Sequence, residues 1–420
     1  MSATAMNSIP DLREVERRAA VILESQGGLG VIVVDLLSLA RIERSFGGST
    51  YAALRNQLDP MLAEIRTRVR EDDILSRDAR VGDRYILFLS GRRTDTPFVV
   101  SDLDTLCARI SEYLTPRIGR LTGPYLREKP TIEVGYGFVL HSALESAERQ
   151  VLRAIEQAME SAELRRRIQD RALRQSVVEI IFNRTVWTAF QPIVELDTRK
   201  VIGHEGLSRG PRGSDLEAPL TLFGQAGRYS LVEELERACR RQAFVDWEAF
   251  GAPGRLFVNT VPATVRDTTF LGRGLLDYLG PRLSPRNVTL EITERQVIEN
   301  LNLYREAMHA FLDLGFTFTI DDVGSGYSGL ETIARLGAAY LKIDMGLVRE
   351  VHQKRISQQV VKAILDLGHG MGAVVIAEGI QSEDEAAALL DLGVRFGQGY
   401  LFGRPRDPYL NSPITVKGAI

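Results

Sequence analysis

Two adjacent carboxylates, Asp321 and Asp322, end an alternating run from Phe316 to Ile320, and a Gly-Ser-Gly turn follows at Gly324 to Gly326. Neighbouring carboxylates repel one another and ionise together only beside cations, so a divalent metal is the economical partner. An Asp after a strand is also a common cap or turn residue, and Gly-Ser-Gly is a common turn. The pair alone leaves both readings open. Polar residues recur, however, where other expected strands end: Glu205, Asn259, Glu291, Lys342, Glu378 and Gln398. Any one of these is explicable as a cap. All eight at one mouth are not, because burying such a ring without a ligand would cost several kcal/mol per uncompensated charge.

The elements that must position these residues follow from periodicity. Expected strands are Ala189 to Glu195, Val201 to Leu207, Leu256 to Asn259, Val288 to Ile292, Phe316 to Ile320, Tyr340 to Ile343, Val374 to Ala377 and Val394 to Gly397. Helical patterns separate most of them: Leu231 to Phe250, Leu303 to Leu314, Leu330 to Leu336, Ile356 to Met371 and Asp384 to Leu392. Residues 181–420 thus fit the size and alternation of a TIM-like (β/α)8 barrel, which places its chemistry at the carboxyl ends of its strands.

Composition sets the frame. The chain has 420 residues, 44% hydrophobic and 25% charged, as for a globular protein of two or three domains. A formal net charge of -3 gives no field for a polyanion, so no nucleic-acid polymer is expected as partner. The two cysteines, Cys107 and Cys239, stand in no metal-ligand spacing and suit a reducing cytoplasm. The first residues have no apolar core of a signal peptide, and no apolar run approaches a membrane span, so no direct membrane insertion is expected.

The first half alternates differently. After a polar arm at 1–20 with a short helix, Leu12 to Val21, strands are expected at Val31 to Leu36, Tyr85 to Leu89 and Thr131 to Val139. Helices are expected at Tyr51 to Val69, Asp102 to Leu114 and Ala147 to Leu164, making a smaller α/β domain over 21–163. Residues 164–180 read as an uninterrupted connecting helix, either a rigid spacer or a transmitter of motion. With Val81-Gly82-Asp83-Arg84-Tyr85 on a turn before a strand, this layout resembles the GGDEF domain of diguanylate cyclases. Its chemistry departs from that family. Arg84 stands in place of the catalytic Glu, and Leu37 and Leu39 follow Asp35, which matches the first metal-binding Asp. Glu43 and Ala52 fall where guanine is read, so a degenerate, non-cyclase domain is implied. Arg70 to Asp73 fits that family's RxxD inhibitory pattern, or is a solvated charged loop.

The second half resembles the EAL domain, the cyclic di-GMP phosphodiesterase family, along nearly its whole length. The motifs are FQPIVEL (190–196), GHEGLSRGP (203–211), FVNT (257–260), LEITER (290–295), TIDDVGSGYSGL (319–330), LKID (341–344), IAEGIQ (376–381) and GQGYLFGRP (397–405). The resemblance implies Glu205, Asn259, Glu291 and Asp321 as ligands of one metal. Asp322 and Glu378, with Asp321 shared, would hold a second. Oxygen donors suit Mg²⁺ or Mn²⁺. Two such ions about 3.5–4 Å apart would clamp a phosphodiester and activate water for in-line attack. Lys342 would then orient or deprotonate the water and offset acidic charge, and Glu294 would pin the Asp-Asp loop. Gln191, Arg209 and Gln398 are implied at the substrate, Arg209 at a phosphate.

Small departures stand at Gly206 for Ala, Val323 for Phe, Ser325 for Thr and Gln381 for Glu. The implied reaction opens cyclic di-GMP to linear pGpG, with the first domain regulatory through a nucleotide or protein. The alternative is a cyclic di-GMP receptor acting by protein contacts. A homodimer through the region after the paired aspartates is also implied.

Overall fold

The computed structural model describes residues 9–409, apart from 37–38, 68–72, 79, 81–82, 91–99, 126–131, 252–253, 261–278, 280–282, 296–307 and 325–336. The chain divides into two compact units, Met1–Leu173 and Arg174–Ile420.

The first unit runs α1 (Leu12–Gln26), β1 (Gly28–Asp35), α2 (Leu39–Phe46), α3 (Gly48–Thr67), β2 (Ile74–Asp78), β3 (Arg84–Ser90), α4 (Val100–Thr122), β4 (Glu133–Leu140) and α5 (Ala147–Asn183). Its sheet has the order β2-β3-β1-β4 with antiparallel neighbours, the β-α-β-β-α-β arrangement of ferredoxin-like domains. Alternation along β1 sends Ile32 and Val34 to one core and Val31 and Val33 to another, where Leu12, Val15, Ala19 and Leu23 of α1 join Val151, Ala154 and Ala158 of α5. The expected boundaries at 20/21, 163/164 and 180/181 all fall inside continuous helices. The alternation that would mark β2 is interrupted by Arg77 and Asp78; on this edge strand Asp78 is instead buried. Of the RxxD segment only Asp73 is described; it accepts from the Ser90 N–H at 2.8 Å.

In the second unit come β5 (Trp187–Glu195), β6 (Val201–Arg209), α6 (Pro219–Arg228), α7 (Val232–Phe250), β7 (Arg255–Asn259), β8 (Val288–Thr293), β9 (Thr317–Val323), β10 (Tyr340–Ile343), α8 (Met345–Val348), α9 (Arg355–Met371), β11 (Val374–Ala377), α10 (Glu383–Leu392) and β12 (Phe396–Gln398). The eight strands close into a barrel. Helix Leu330 to Leu336 lies outside the described residues, as does part of Leu303 to Leu314.

The barrel departs from an all-parallel one at a single strand. β5 runs antiparallel to both β6 and β12, while the other neighbours are parallel. The reason is the connection: the few residues between Glu195 and Val201 can close a hairpin, whereas a parallel crossover needs about a dozen. Among the described residues no helix is long and apolar enough to cross a membrane.

Strand alternation also explains His204. Glu205 faces the barrel interior, so His204 faces outward, 1% exposed, with ring centroids 5.7 Å from Trp247 and 5.2 Å from Phe250. Burial lowers its pKa from 6.5 to about 4. A depressed histidine contributes stability above pH 6.5 that is lost as pH falls toward 4. Urea unfolding should therefore show about 2 kcal/mol less stability at pH 5 than at pH 7 from this group. In His204→Leu that part of the acid sensitivity should vanish.

Candidate active site

One buried ammonium organises the barrel mouth. Lys342, in β10, is 0% exposed. Its Nζ lies 2.5 Å from Glu378 Oε1, 2.8 Å from Glu291 Oε1, 3.5 Å from Glu205 Oε2 and 3.6 Å from Asp321 Oδ1. These acids come from four strand ends and face inward because register fixes them: Asn259 pairs with Glu291, and Thr293 with Asp321, across parallel neighbours. Asn259 Nδ2 lies 3.4 Å from both Glu205 Oε1 and Glu291 Oε2. An amide so placed can turn its oxygen toward a cation.

A second group sits beside the first. Asp321, Asp322 and Glu378 each bring one carboxylate oxygen within 4.8 Å of the others. The Asp321 Oδ1 atom accepts from the Asp322 N–H at 2.9 Å, and Asp322 takes a left-handed φ of 57°. That backbone is uncommon for a residue with a side chain, and it turns the second carboxylate back toward the first. Glu294 accepts from the Gly324 N–H at 3.0 Å and holds the turn that follows. Gly324 has φ 93°, and a Cβ there would stand 2.4 Å from Leu347 Cδ1.

The electrostatics show a shortage of positive charge. Burial raises the pKa values of Glu291 and Glu378 well above the carboxylate range, with Lys342 opposing and the neighbouring acids adding to the rise. Asp321 is raised by burial, and Asp322 is pushed up to about 6 by burial, then by Asp321 and Asp344. Glu205 is the exception. Burial pushes it up, but Lys342, Gln398 and Asn259 together bring it below its usual value. Burial would lower Lys342, but Asp321, Glu205, Glu291 and Glu378 hold it well above the lysine range. An ammonium so held donates and balances charge; to act as a base it would first have to lose these partners. Five carboxylates against one ammonium, all with oxygen donors, fit hard divalent cations.

The amides on the other side form a chain. Gln398 Nε2 donates to Glu205 Oε2 at 2.6 Å and to Gln191 Oε1 at 3.2 Å, and Gln191 Nε2 donates to the Gly403 carbonyl at 3.0 Å. Gln191 reaches the mouth from mid-strand because β5 is reversed and pairs it with Glu205. Gly206, the position after Glu205, has room for little more: a Cβ would meet Thr188 Cγ2 at 3.2 Å. Val323 is buried, and Gln381 gives its backbone N–H to Glu385, whereas Ser325 lies outside the described residues.

A cavity of about 290 Å³ opens beside this centre, lined by Arg209, Pro219, Phe223, Glu236, Arg240 and Asn259 among others. Arg209 is half-buried, with burial lowering its pKa, and its Nη1 donates to the Ser208 carbonyl at 2.9 Å. Sequence reasoning passed over Glu236 and Arg240. Their signal was present: two charges one turn apart lie in the buried stripe of α7 beside Leu235, Cys239 and Ala243.

Comparisons with known proteins agree on the second half. The family model described as EAL domain matches residues 150–405. A 155-residue stretch is 36% identical to the probable cyclic di-GMP phosphodiesterase PdeA of Escherichia coli (strain K12), covering 36% of this chain and 21% of that one. The cyclic di-GMP phosphodiesterase PdeR of the same strain is 31% identical over 181 residues, 43% of this chain and 26% of its own. The chain thus spans only about a quarter of the length of these relatives. The solved EAL enzyme Bd1971, in its cAMP and cyclic-di-GMP bound form, matches 66% of this chain and 81% of its own at 26% identity and a TM-score of 0.51. The FimX EAL domain of Xanthomonas citri, in complex with cyclic di-GMP, matches 60% and 99% at a TM-score of 0.53; at 19% identity this shows the fold alone. With its acids gathered at one barrel mouth and more than half its length matched, the chain belongs to the EAL domain family.

Proposed function

We propose that the barrel hydrolyses cyclic di-GMP to linear pGpG with two divalent cations. The observation that carries this reading is the convergence of Glu205, Glu291, Asp321 and Glu378 on the buried Lys342, with Asp322 grouped beside Asp321 and Glu378. Names borne by PdeA and PdeR support the substrate. Glu205, Asn259, Glu291 and Asp321 would hold one ion, and Asp321, Asp322 and Glu378 the other. Bound there, the ions supply charge for the phosphoryl oxygens and lower the pKa of a water.

The residues of the chain do the rest. Lys342 keeps the acids apart from one another's repulsion and orients the water by donating to it. Gln398 fixes Glu205 by one oxygen, leaving the other directed at Asn259. Glu294 holds the turn after the paired aspartates. Arg209 stands at a phosphate. In the net reaction water oxygen joins phosphorus, the bond to the 3′ oxygen breaks, and that oxygen leaves with a proton.

The side cavity is sized for a purine. A guanine there would offer its ring N–H and exocyclic amine to the Glu236 carboxylate, which it would share with Arg240, whose Nη1 lies 3.8 Å from Glu236 Oε2; adenine cannot make this pairing. Glu236→Gln should raise KM for cyclic di-GMP by about 10–100-fold, the order of one charged hydrogen bond, with a smaller effect on kcat. Steady-state hydrolysis of cyclic di-GMP beside cyclic di-AMP measures this.

The first unit is read as a degenerate GGDEF-like domain with a regulatory role. Arg84 there places Nη2 2.8 Å from Asp35 Oδ2, so an internal cation already answers the acid. The region after the paired aspartates, expected to pair two barrels, includes 325–336 and lies partly outside the described residues. The decisive test is incubation of purified protein with cyclic di-GMP and Mg²⁺ or Mn²⁺, with a chelator control. Metal-dependent pGpG is the expected product. Binding without turnover would make the chain a receptor, and neither would end the proposal.

A further inference from the structure

Helix α5 leaves a row of large apolar side chains open to solvent. Leu164 and Ile168 are each 59% exposed, Val178 37% and Phe182 84%. Other apolar residues of the same helix are covered: Val151, Ala154 and Ala158 in the first unit's core, and Val177 and Ile180 further on. Apart from Leu152, 43% exposed near the start of the helix, the exposed set is not scattered. Leu164, Ile168, Arg171, Gln175, Val178 and Phe182 follow one another at alternating steps of four and three residues. That is the spacing of the d and a positions of a heptad, which keeps one seam facing a neighbouring helix.

We propose that this seam pairs with the same seam of a second copy of the chain, the two α5 helices lying parallel. The flanking charges choose both occupant and direction. In the heptad frame Arg167 and Arg174 take g positions, and Ala172 and Glu179 take e positions. In a parallel pair each g residue faces the e residue five further along in the other helix. Arg174 then meets Glu179 of the second copy, and the symmetric contact repeats it. Arg167 meets Ala172, which carries no charge to oppose it. An antiparallel pair would set g against g, bringing arginines together. Glu179 is already held on the flank by Gln175, whose Nε2 donates to it at 3.1 Å. Arg165 is occupied within its own unit by Asp104 and takes no part.

Arg171 and Gln175 put two polar layers at the middle of the seam. Polar residues at such positions fix register at the expense of stability. The dimer is therefore concentration-dependent. This surface is separate from the catalytic centre, and the inference stands or falls independently of the hydrolytic reading.

Sedimentation velocity of the full chain across a concentration series tests it. The expected result is a reversible association that weakens in Ile168→Glu combined with Val178→Glu, whether or not the barrels also pair through the region after the paired aspartates. Arg174→Glu and Glu179→Arg should each weaken the dimer roughly tenfold, by losing two ion pairs and gaining repulsion, and the double swap should restore it. Phe182→Cys should link to its own copy under mild oxidation, since parallel helices bring these positions together. All substituted residues are exposed, and thermal unfolding checks that each variant is folded. A monomer at every concentration overturns the proposal. So does a dimer indifferent to the two glutamates, a double swap that fails to recover, or a Phe182→Cys variant that stays unlinked while the dimer persists.

Discussion

Glu205→Gln is expected to lower pGpG formation on the order of 10³-fold while the barrel remains folded. The substitution keeps shape and keeps an oxygen for Gln398 to donate to, but it removes the carboxylate that Lys342, Gln398 and Asn259 hold below its usual pKa. Burial raises the pKa values of the other acids at the mouth. Initial rates at saturating Mg²⁺ or Mn²⁺, beside thermal unfolding, check the prediction. A variant that keeps more than a tenth of the activity would remove Glu205 from the reaction.

Lys342→Met should act on stability as well as rate. Removing one partner of a buried ion pair costs about 3–5 kcal/mol, because the remaining charge is left uncompensated. Here four carboxylates lose the same ammonium. In metal-free solution the variant should unfold at markedly lower urea. Its deficit should shrink as pH falls, since raised carboxyl groups contribute stability at low pH and lose it as pH rises through their folded values. Added Mg²⁺ should recover part of the stability through mass action on the folded state. Activity should not return with it, because no donor remains to orient the water. A variant as stable as the parent at neutral pH without metal would show that the ammonium does not balance these acids.

The barrel strands were legible in the sequence because their inward acids and outward apolar residues alternate cleanly, as His204 and Glu205 do. What escaped was direction. Hydrophobic pattern is the same for a strand read up or down, so the reversal of β5 is visible only in the shortness of the link to Val201. The acids at Glu205, Glu291, Asp321, Asp322 and Glu378 could be anticipated at one mouth, with Lys342 to offset their charge, but not that four of them lie within 3.6 Å of its ammonium. That depends on register across four strands, which no single segment encodes. Glu236 and Arg240 were hidden for another reason: charges on a helix are ordinarily solvated, and only packing shows that these two are enclosed.

The reversed strand also decides where the chain is spliced into the barrel. Trp187, the first residue of β5, pairs with Arg209, the last of β6, so α5 hands over to the barrel at its catalytic rim. Had β5 run with its neighbours, the same helix would have been joined to the floor. Only residues 184–186 separate the last turn of α5 from the strand that carries Gln191. The end of that helix therefore lies only a few residues along the chain from the amide chain that grips Glu205.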